Sequence, residues 1–324
     1  MNQLKIFSDA NLSESAFELL KDGVLPHELV LPAKPAASVL ALAEPDPAFA
    51  TAEIAFGQPD VESVLGSRKL RWLHLSSAGY TRYDTPQFRS AARERGLFVT
   101  NSSSVYDEAC AEHVFSFMLA QSRRLPVSLA THLPNTDPRW MDLRRSYVPL
   151  RGSNVLILGY GAIAKRLRGF LSPFETRITA FRRQPRGDEG VPVVTAADLP
   201  AALEQADHVV NILPGSASTD RFFTKERFHT MKPGSVFYNI GRGSTVDQEG
   251  LYDALHSGHL DAAWLDVCDP EPLPKNHPLL TLKNCFITPH TAGGHRNEST
   301  TLVRHFLLNL RNFLDEEPLV DRVF

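Results

Sequence analysis

Several things are scarce in this sequence, and each scarcity narrows its meaning. Cysteine occurs three times in 324 residues, at Cys110, Cys268 and Cys285. The number is odd, the spacings are wide and no CxxC pair is present, which argues against a disulfide framework or structural zinc site and for a reduced, cytoplasmic protein. No metal site is expected. Charge of one sign is not in excess: 34 Lys and Arg against 37 Asp and Glu leave a net −3. There is thus no basic field to hold a phosphate backbone or an anionic bilayer, and neither nucleic acid nor membrane is expected as a partner. No apolar run approaches the roughly 18 residues needed to cross a bilayer. The start, Met1-Asn2-Gln3-Leu4-Lys5-Ile6-Phe7, passes straight into a strand-like run without the basic and long apolar regions of a secretory signal, so export is not expected. Solenoid-period repeats and low-complexity tails are missing too.

What is present is a composition 43% hydrophobic and 22% charged, at a length that suits two domains. Short apolar runs alternate with helix-length amphipathic segments, the rhythm of βαβ units, so the fold class is α/β with mainly parallel sheet. In the first hundred residues strands are expected at 5–7, 28–31, 53–56, 72–75 and 98–100. The Pro- and Ala-rich stretch 32–48 is short and flanked by hydrophobic residues, which favours a surface loop or short helix over disorder. From Asp107 a long helix follows, with Ala111, Val114, Phe115, Met118 and Leu119 at i, i+3, i+4, i+7 and i+8. A second helix closes the chain, its stripe formed by Leu302, Val303, Phe306, Leu307, Leu310, Phe313 and Leu314. Between them, 155–158, 178–181, 208–213, 236–240, 262–267 and 285–288 are the most aliphatic runs. They are expected as strands of one parallel sheet, buried on both faces.

The run 155–158 is followed by Gly159-Tyr160-Gly161-Ala162-Ile163-Ala164 and a helical segment. Strand, glycine turn and helix in that order fit a dinucleotide site: a tight turn at the first Gly, close approach of a pyrophosphate at the second, and a small residue, here Ala164, at the third. Glycines also serve plain turns, so the turn alone is weak evidence and its context carries the assignment. The next strand ends in Arg182-Arg183, 23 positions beyond Gly159, where a ribose-reading residue belongs. An acid there would accept from the ribose 2′-OH; an arginine can instead pair with a 2′-phosphate. NADP(H) is therefore expected as the preferred cofactor, with NAD(H) possible. Arg182 is expected to carry the larger effect, because one of two successive side chains faces the ribose.

Further on stand Met231-Lys232-Pro233-Gly234, Asn239-Ile240-Gly241-Arg242-Gly243, Leu265-Asp266-Val267 with Glu271-Pro272, and Thr288-Pro289-His290. With Val99-Thr100-Asn101 and Ala111-Glu112-His113, these ordered blocks resemble the D-isomer-specific 2-hydroxyacid dehydrogenases, glyoxylate and hydroxypyruvate reductases in particular, over nearly the whole chain. The resemblance implies Arg242 as the catalytic arginine, Glu271 and His290 as the acid–histidine pair, and Asp266 as a carboxylate near the nicotinamide. It also implies that Ser77, Ala78 and Gly79 offer backbone N–H groups to the substrate carboxylate. Thr81 departs from the family's Asp two residues after the Gly, and Trp264 and Cys268 depart from its small and aromatic residues; the last two bear on pocket shape or packing, not on the chemistry. Physically, a 2-oxo acid reductase needs a proton donor for the carbonyl oxygen, a carboxylate that orients that donor and favours its charged form, and a guanidinium for the substrate's carboxylate and carbonyl. His113 is expected to be structural or interfacial.

The implied architecture is a Rossmann-type, doubly wound parallel sheet domain, 102–291, inserted in a smaller flavodoxin-like α/β substrate domain formed by 1–101 and 292–324. The site would lie in an interdomain cleft, with hinges at the two crossings. The implied reaction is NADPH-dependent reduction of a small 2-oxo acid of the glyoxylate or hydroxypyruvate kind to a D-2-hydroxy acid. Alternatives are a 3-phosphoglycerate or other D-2-hydroxyacid dehydrogenase using NAD, or a dinucleotide-sensing, corepressor-like interaction protein. The helix over 107–119 is apolar on more than one face, and a helix apolar nearly all round is covered by something else. A two-fold homodimer through the nucleotide domain is expected.

Overall fold

The structure, a computed structural model, describes residues 3–34 and 43–324. Part of the Pro- and Ala-rich stretch, 35–42, lies outside the described residues. The chain divides into two compact units, one formed by Met1–Tyr106 with Gly294–Phe324 and the other by Asp107–Gly293.

In the first unit β1 (Lys5–Ser8), β2 (Glu28–Val30), β3 (Ile54–Gly57), β4 (Trp72–Leu75) and β5 (Phe98–Thr100) form one parallel sheet in the order β2-β1-β3-β4-β5. That is the flavodoxin-like order. Successive side chains alternate faces, and the sequence uses both. Ile6, Ile54, Phe56 and Trp72 pack with Leu302, Val303, Phe306 and Leu310 of the helix Glu298–Leu314. Phe7, Ala55, Leu73 and Val99 face the other way, onto Phe49, Phe88 and Ala92. The Phe306 ring stacks on Phe56 and Trp72, with centroids 4.5 and 5.2 Å away.

The second unit holds β6 (Asn154–Leu158), β7 (Arg177–Phe181), β8 (Val193–Val194), β9 (His208–Asn211), β10 (Val236–Asn239), β11 (Ala262–Leu265) and β12 (Cys285–Ile287), all parallel, in the order β12-β11-β10-β9-β6-β7-β8. Taken from β8, this is the doubly wound nucleotide-binding order extended by one strand, with its switch point between β6 and β9. β9, β10 and β11 are buried throughout, as expected; β7 begins exposed and β12 is only partly buried, because they lie nearer the sheet's edges. The two-residue β8 carries no sequence signal, because Val193-Val194 is too short to hold a period.

The long helix is Ser103–Ser122. Its apolar excess is largely covered from within the second unit: Ala111, Val114 and Met118 are buried, Phe117 meets Trp264, and Phe115 meets Phe170 and Phe174. Among the described residues no helix is long and apolar enough to cross a membrane.

Candidate active site

Each sequence-predicted residue of the second unit sits just past the C-terminal end of a strand: Gly159 after β6, Arg182 after β7, Arg242 after β10, Glu271 after β11 and His290 after β12. That edge of an open α/β sheet, at the switch point, is where ligands bind.

The glycine turn fits a dinucleotide. Gly159 has φ +89°, and a Cβ there would stand 2.9 Å from the Ile212 carbonyl oxygen. A Cβ at Gly161 would meet nothing within 4 Å, so that backbone face is open. Gly161 is the N-cap of the helix Ala162–Leu171 and brings no side-chain cap, which leaves the first-turn N–H groups of Ala162 and Ile163 for an anion. Ala164 is buried against the sheet, and Tyr160 is buried with its hydroxyl beside Arg168.

Arg242 stands in a turn fixed by buried amides. Asn239 Oδ1 accepts from Gly241 N at 3.1 Å, and Asn239 Nδ2 donates to the Arg242 carbonyl at 3.2 Å. Asn211 Nδ2 donates to Asn239 Oδ1 at 3.0 Å and to Thr245 Oγ1 at 2.7 Å, and Thr245 Oγ1 in turn donates to the Arg242 carbonyl at 2.6 Å. Gly243 is obligatory by space: a Cβ would collide with the Cys268 carbonyl. The Arg242 side chain is half-buried and gives one Nη1 bond, 2.6 Å, to the Gly241 carbonyl. Burial lowers its pKa from the ordinary arginine value, and the Glu271 carboxylate nearby opposes that. The guanidinium stays charged.

Glu271 Oε1 lies 3.0 Å from His290 Nδ1, at ion-pair distance, although the ring N–H is not aimed along the contact. Contacts of this kind commonly tighten only around substrate. His290 has φ +52°, outside the range most side chains adopt, and its neighbours hold it there. Its N–H donates to the Asp266 carbonyl at 3.0 Å. Asp266, expected beside the nicotinamide, is buried with both carboxylate oxygens engaged. Oδ1 accepts from Thr288 Oγ1 at 2.6 Å and Thr291 N at 2.8 Å, and Oδ2 accepts from Ala292 N at 2.9 Å. Asp266 is therefore the clamp on the turn that carries His290. His113 Nε2 joins it, 3.1 Å from Thr288 Oγ1 and 3.6 Å from Asp266 Oδ1, its pKa lowered by burial against the pull of Asp266. Trp264 and Cys268 pack: the indole Nε1 donates to Gln121 Oε1 at 2.9 Å, and the thiol lies in the core.

Arg182 is engaged by Glu189 at 2.8 Å, whereas Arg183 is exposed and donates to Ser218 Oγ at 3.1 Å. In the first unit the loop after β4 has its carbonyls occupied. Tyr106 Oη donates to Ser76 O, Ser102 N to Ser77 O, Asn101 Nδ2 to Ala78 O and Ser77 Oγ to Gly79 O, at 2.6–3.0 Å. The N–H groups of Ser77, Ala78 and Gly79 make no backbone hydrogen bond among the described residues, so the loop can offer them to an anion. Asn211, Thr245 and Glu189 had no signal in the sequence, since each acts through partners distant in the chain or folded back from a loop.

A doubly wound sheet with an uncapped helix behind a glycine turn, and an arginine, a glutamate and a histidine on neighbouring strand ends, defines a nicotinamide dinucleotide-dependent oxidoreductase. The family model described as "D-isomer specific 2-hydroxyacid dehydrogenase, NAD binding domain" matches residues 115–292. Glyoxylate reductase/hydroxypyruvate reductase of Homo sapiens is 37% identical over 229 residues, 70% of this chain and 70% of that protein. Glyoxylate/hydroxypyruvate reductase B of Klebsiella pneumoniae is 32% identical over 254 residues, 75% of this chain and 76% of that one. The solved NADPH-dependent glyoxylate/hydroxypyruvate reductase of Sinorhizobium meliloti, in complex with NADP and malonate, superposes with TM-score 0.74 at 25% identity, covering 99% of this chain and 97% of that one. The chain belongs to the D-isomer-specific 2-hydroxyacid dehydrogenase family, enzymes dependent on NAD(P).

Proposed function

We propose that this enzyme reduces glyoxylate or hydroxypyruvate to the corresponding 2-hydroxy acid, of D configuration where the product is chiral, with NADPH. The observation that carries the reading is the Glu271–His290 pair beside Arg242 at the strand ends that face a dinucleotide site. When bound, the cofactor supplies the hydride. His290, with Nδ1 turned to Glu271, presents Nε2 to the substrate carbonyl oxygen and gives it a proton as carbon is reduced. Glu271, 3.0 Å from Nδ1, orients the ring. Arg242, one arm held by the Gly241 carbonyl, offers its remaining N–H groups to the carboxylate and carbonyl of the 2-oxo acid. In the first unit, the N–H groups of Ser77, Ala78 and Gly79 suit a carboxylate anion. Asp266 fixes the His290 turn, and Gly159, Tyr160, Gly161, Ala162 and Ile163 form the pyrophosphate turn. Of the two arginines after β7, exposed Arg183 favours a 2′-phosphate over a bare ribose, whereas Arg182, expected from the sequence to carry the larger effect, is paired with Glu189.

The working state is a two-fold homodimer through the nucleotide unit. Support comes from Leu125, Val127, Leu129, Met141 and Val148, exposed large hydrophobics gathered within residues 125–148. Burial pushes the Cys268 and Cys285 thiols up to about 12, so they stay thiols, as suits a reduced cytoplasmic setting.

A panel of 2-oxo acids with NADPH and with NADH, followed by cofactor absorbance, tests the reading. The expected result is oxidation of NADPH by glyoxylate and hydroxypyruvate, with kcat/KM about ten- to a hundredfold above that with NADH, the worth of one charge-assisted phosphate contact. A protein that oxidises neither cofactor with any 2-oxo acid would sink it.

A further inference from the structure

The two arginines at the end of β7 are not equivalent. Arg182 Nη1 lies 2.8 Å from Glu189 Oε1 and 3.8 Å from Asp188 Oδ1, and Asp188 is itself bonded to Lys165 at 2.8 Å. Glu189 is buried and fully engaged. Oε1 also accepts from Arg186 N at 2.8 Å, Oε2 accepts from Gly187 N at 2.9 Å, and the Glu189 carbonyl accepts from Arg168 Nη1 at 3.2 Å. These bonds fold residues 182–189 back on themselves and tie them to the helix Ala162–Leu171, the helix that opens on the glycine turn. The same donors, Arg186 N–H first and then the Arg182 guanidinium, pull the Glu189 carboxyl down to about 2, so it is ionised at every working pH.

Arg183 is built the other way. Its side chain is exposed, and its one side-chain partner among the described residues is the neutral Ser218 hydroxyl, itself 3.0 Å from Ser216 Oγ. A guanidinium locked to a buried carboxylate has little charge left for an arriving phosphate; one that faces a hydroxyl keeps it.

We propose that Glu189 is a positioning residue for cofactor choice: by neutralising Arg182 and pinning the backbone at 186 and 187, it presents Arg183 and the Ser218 hydroxyl to the 2′-phosphate of NADP(H). The inference rests on the NADPH reading above. It also reverses the intuitive effect of the residue. As a bare charge near the ribose, Glu189 repels a phosphate and its removal helps; as the keystone of the loop, it attracts one indirectly and its removal harms.

That difference in sign is measurable by isothermal titration of the intact protein with 2′,5′-ADP and 5′-AMP. The wild type is expected to bind 2′,5′-ADP at least about tenfold more tightly than 5′-AMP. Glu189→Gln, whose single carbonyl oxygen cannot serve three donors, is expected to lose roughly three- to tenfold in 2′,5′-ADP affinity with 5′-AMP affinity unchanged. Undiminished or tighter 2′,5′-ADP binding by that variant overturns the proposal. Should Glu189→Gln fail to fold, Arg183→Gln, an exposed substitution, carries the test. It is expected to erase the 2′-phosphate preference, and retention of the preference overturns the proposal. Equal wild-type affinities for the two nucleotides overturn the NADPH reading itself, a failure distinct from that of Glu189 alone.

Discussion

Two glutamate-centred pairs stand at the same edge of the nucleotide-unit sheet, and they are built in opposite ways. In the Glu189–Arg182 pair the side chains are 2% and 15% exposed, and every carboxylate oxygen is spent on loop donors. In the Glu271–His290 pair they are 35% and 29% exposed, and the 3.0 Å contact is not aligned. A buried pair that loses one partner leaves an uncompensated charge, so it is fixed and serves as scaffold. A half-exposed pair can exchange partners with an incoming carbonyl at little desolvation cost, which is what a proton donor must do. From these two pairs we propose a rule: a buried pair shapes the site and a half-exposed one reacts in it.

The rule breaks first, if it breaks, at His290. His290→Asn keeps the size and polarity of the ring's stem but removes the proposed proton donor, so kcat should fall by roughly 10²- to 10⁴-fold while nucleotide affinity stays near wild type. Steady-state kinetics with a parallel nucleotide titration checks this, and a variant with half the wild-type turnover would contradict it.

On the scaffold side, Asp266→Asn leaves one acceptor oxygen where Thr288 Oγ1, Thr291 N and Ala292 N now share two. One buried donor is stranded, at about 1–3 kcal/mol. Because that turn carries His290, both the melting temperature and kcat should drop. A melting curve and turnover number indistinguishable from wild type would remove Asp266 from the scaffold.

The smallest expected effect sharpens the comparison with a histidine that does no chemistry. His208 is buried in β9, its Nδ1 3.0 Å from Tyr238 Oη, and burial pushes its pKa down from 6.5 to about 4. The unfolded chain therefore binds the proton more readily, and stability is lost as pH falls from 6.5 towards 4. Between pH 7 and pH 5 this one group should cost about 2 kcal/mol. Urea midpoints at the two pH values should show that loss in the wild type and a correspondingly smaller one in His208→Gln. Equal losses in both would show that another group carries it.

The sequence made strands and helices legible where side chains face a sheet, because burial repeats along the chain: Val155 to Leu158 and the stripe from Leu302 to Leu314 need no knowledge of their partners. Arg242, Glu271 and His290 stand out as candidates through motif order, and the fold brings them to neighbouring strand ends. The supports of the site do not stand out. Asn211, Asn239 and Thr245 meet only after β9 and β10 pair, and nothing local marks a polar residue that will be satisfied 28 or 34 positions away. Glu189 was hidden differently: the sequence shows two arginines after a strand, but which of them a downstream acid will occupy depends on how the loop folds back. His113, expected to be structural, packs at the Thr288–Asp266 clamp, a place that helical periodicity could not foresee.

The proton transfer proposed for the half-exposed Glu271–His290 pair, with cofactor binding secured elsewhere, is separated from binding in a single turnover. NADPH-saturated wild type and Glu271→Gln are mixed rapidly with hydroxypyruvate, and the first-turnover loss of cofactor absorbance is followed. Full amplitude is expected in both proteins, with a rate at least about tenfold slower in Glu271→Gln. Equal rates at equal amplitude would contradict it.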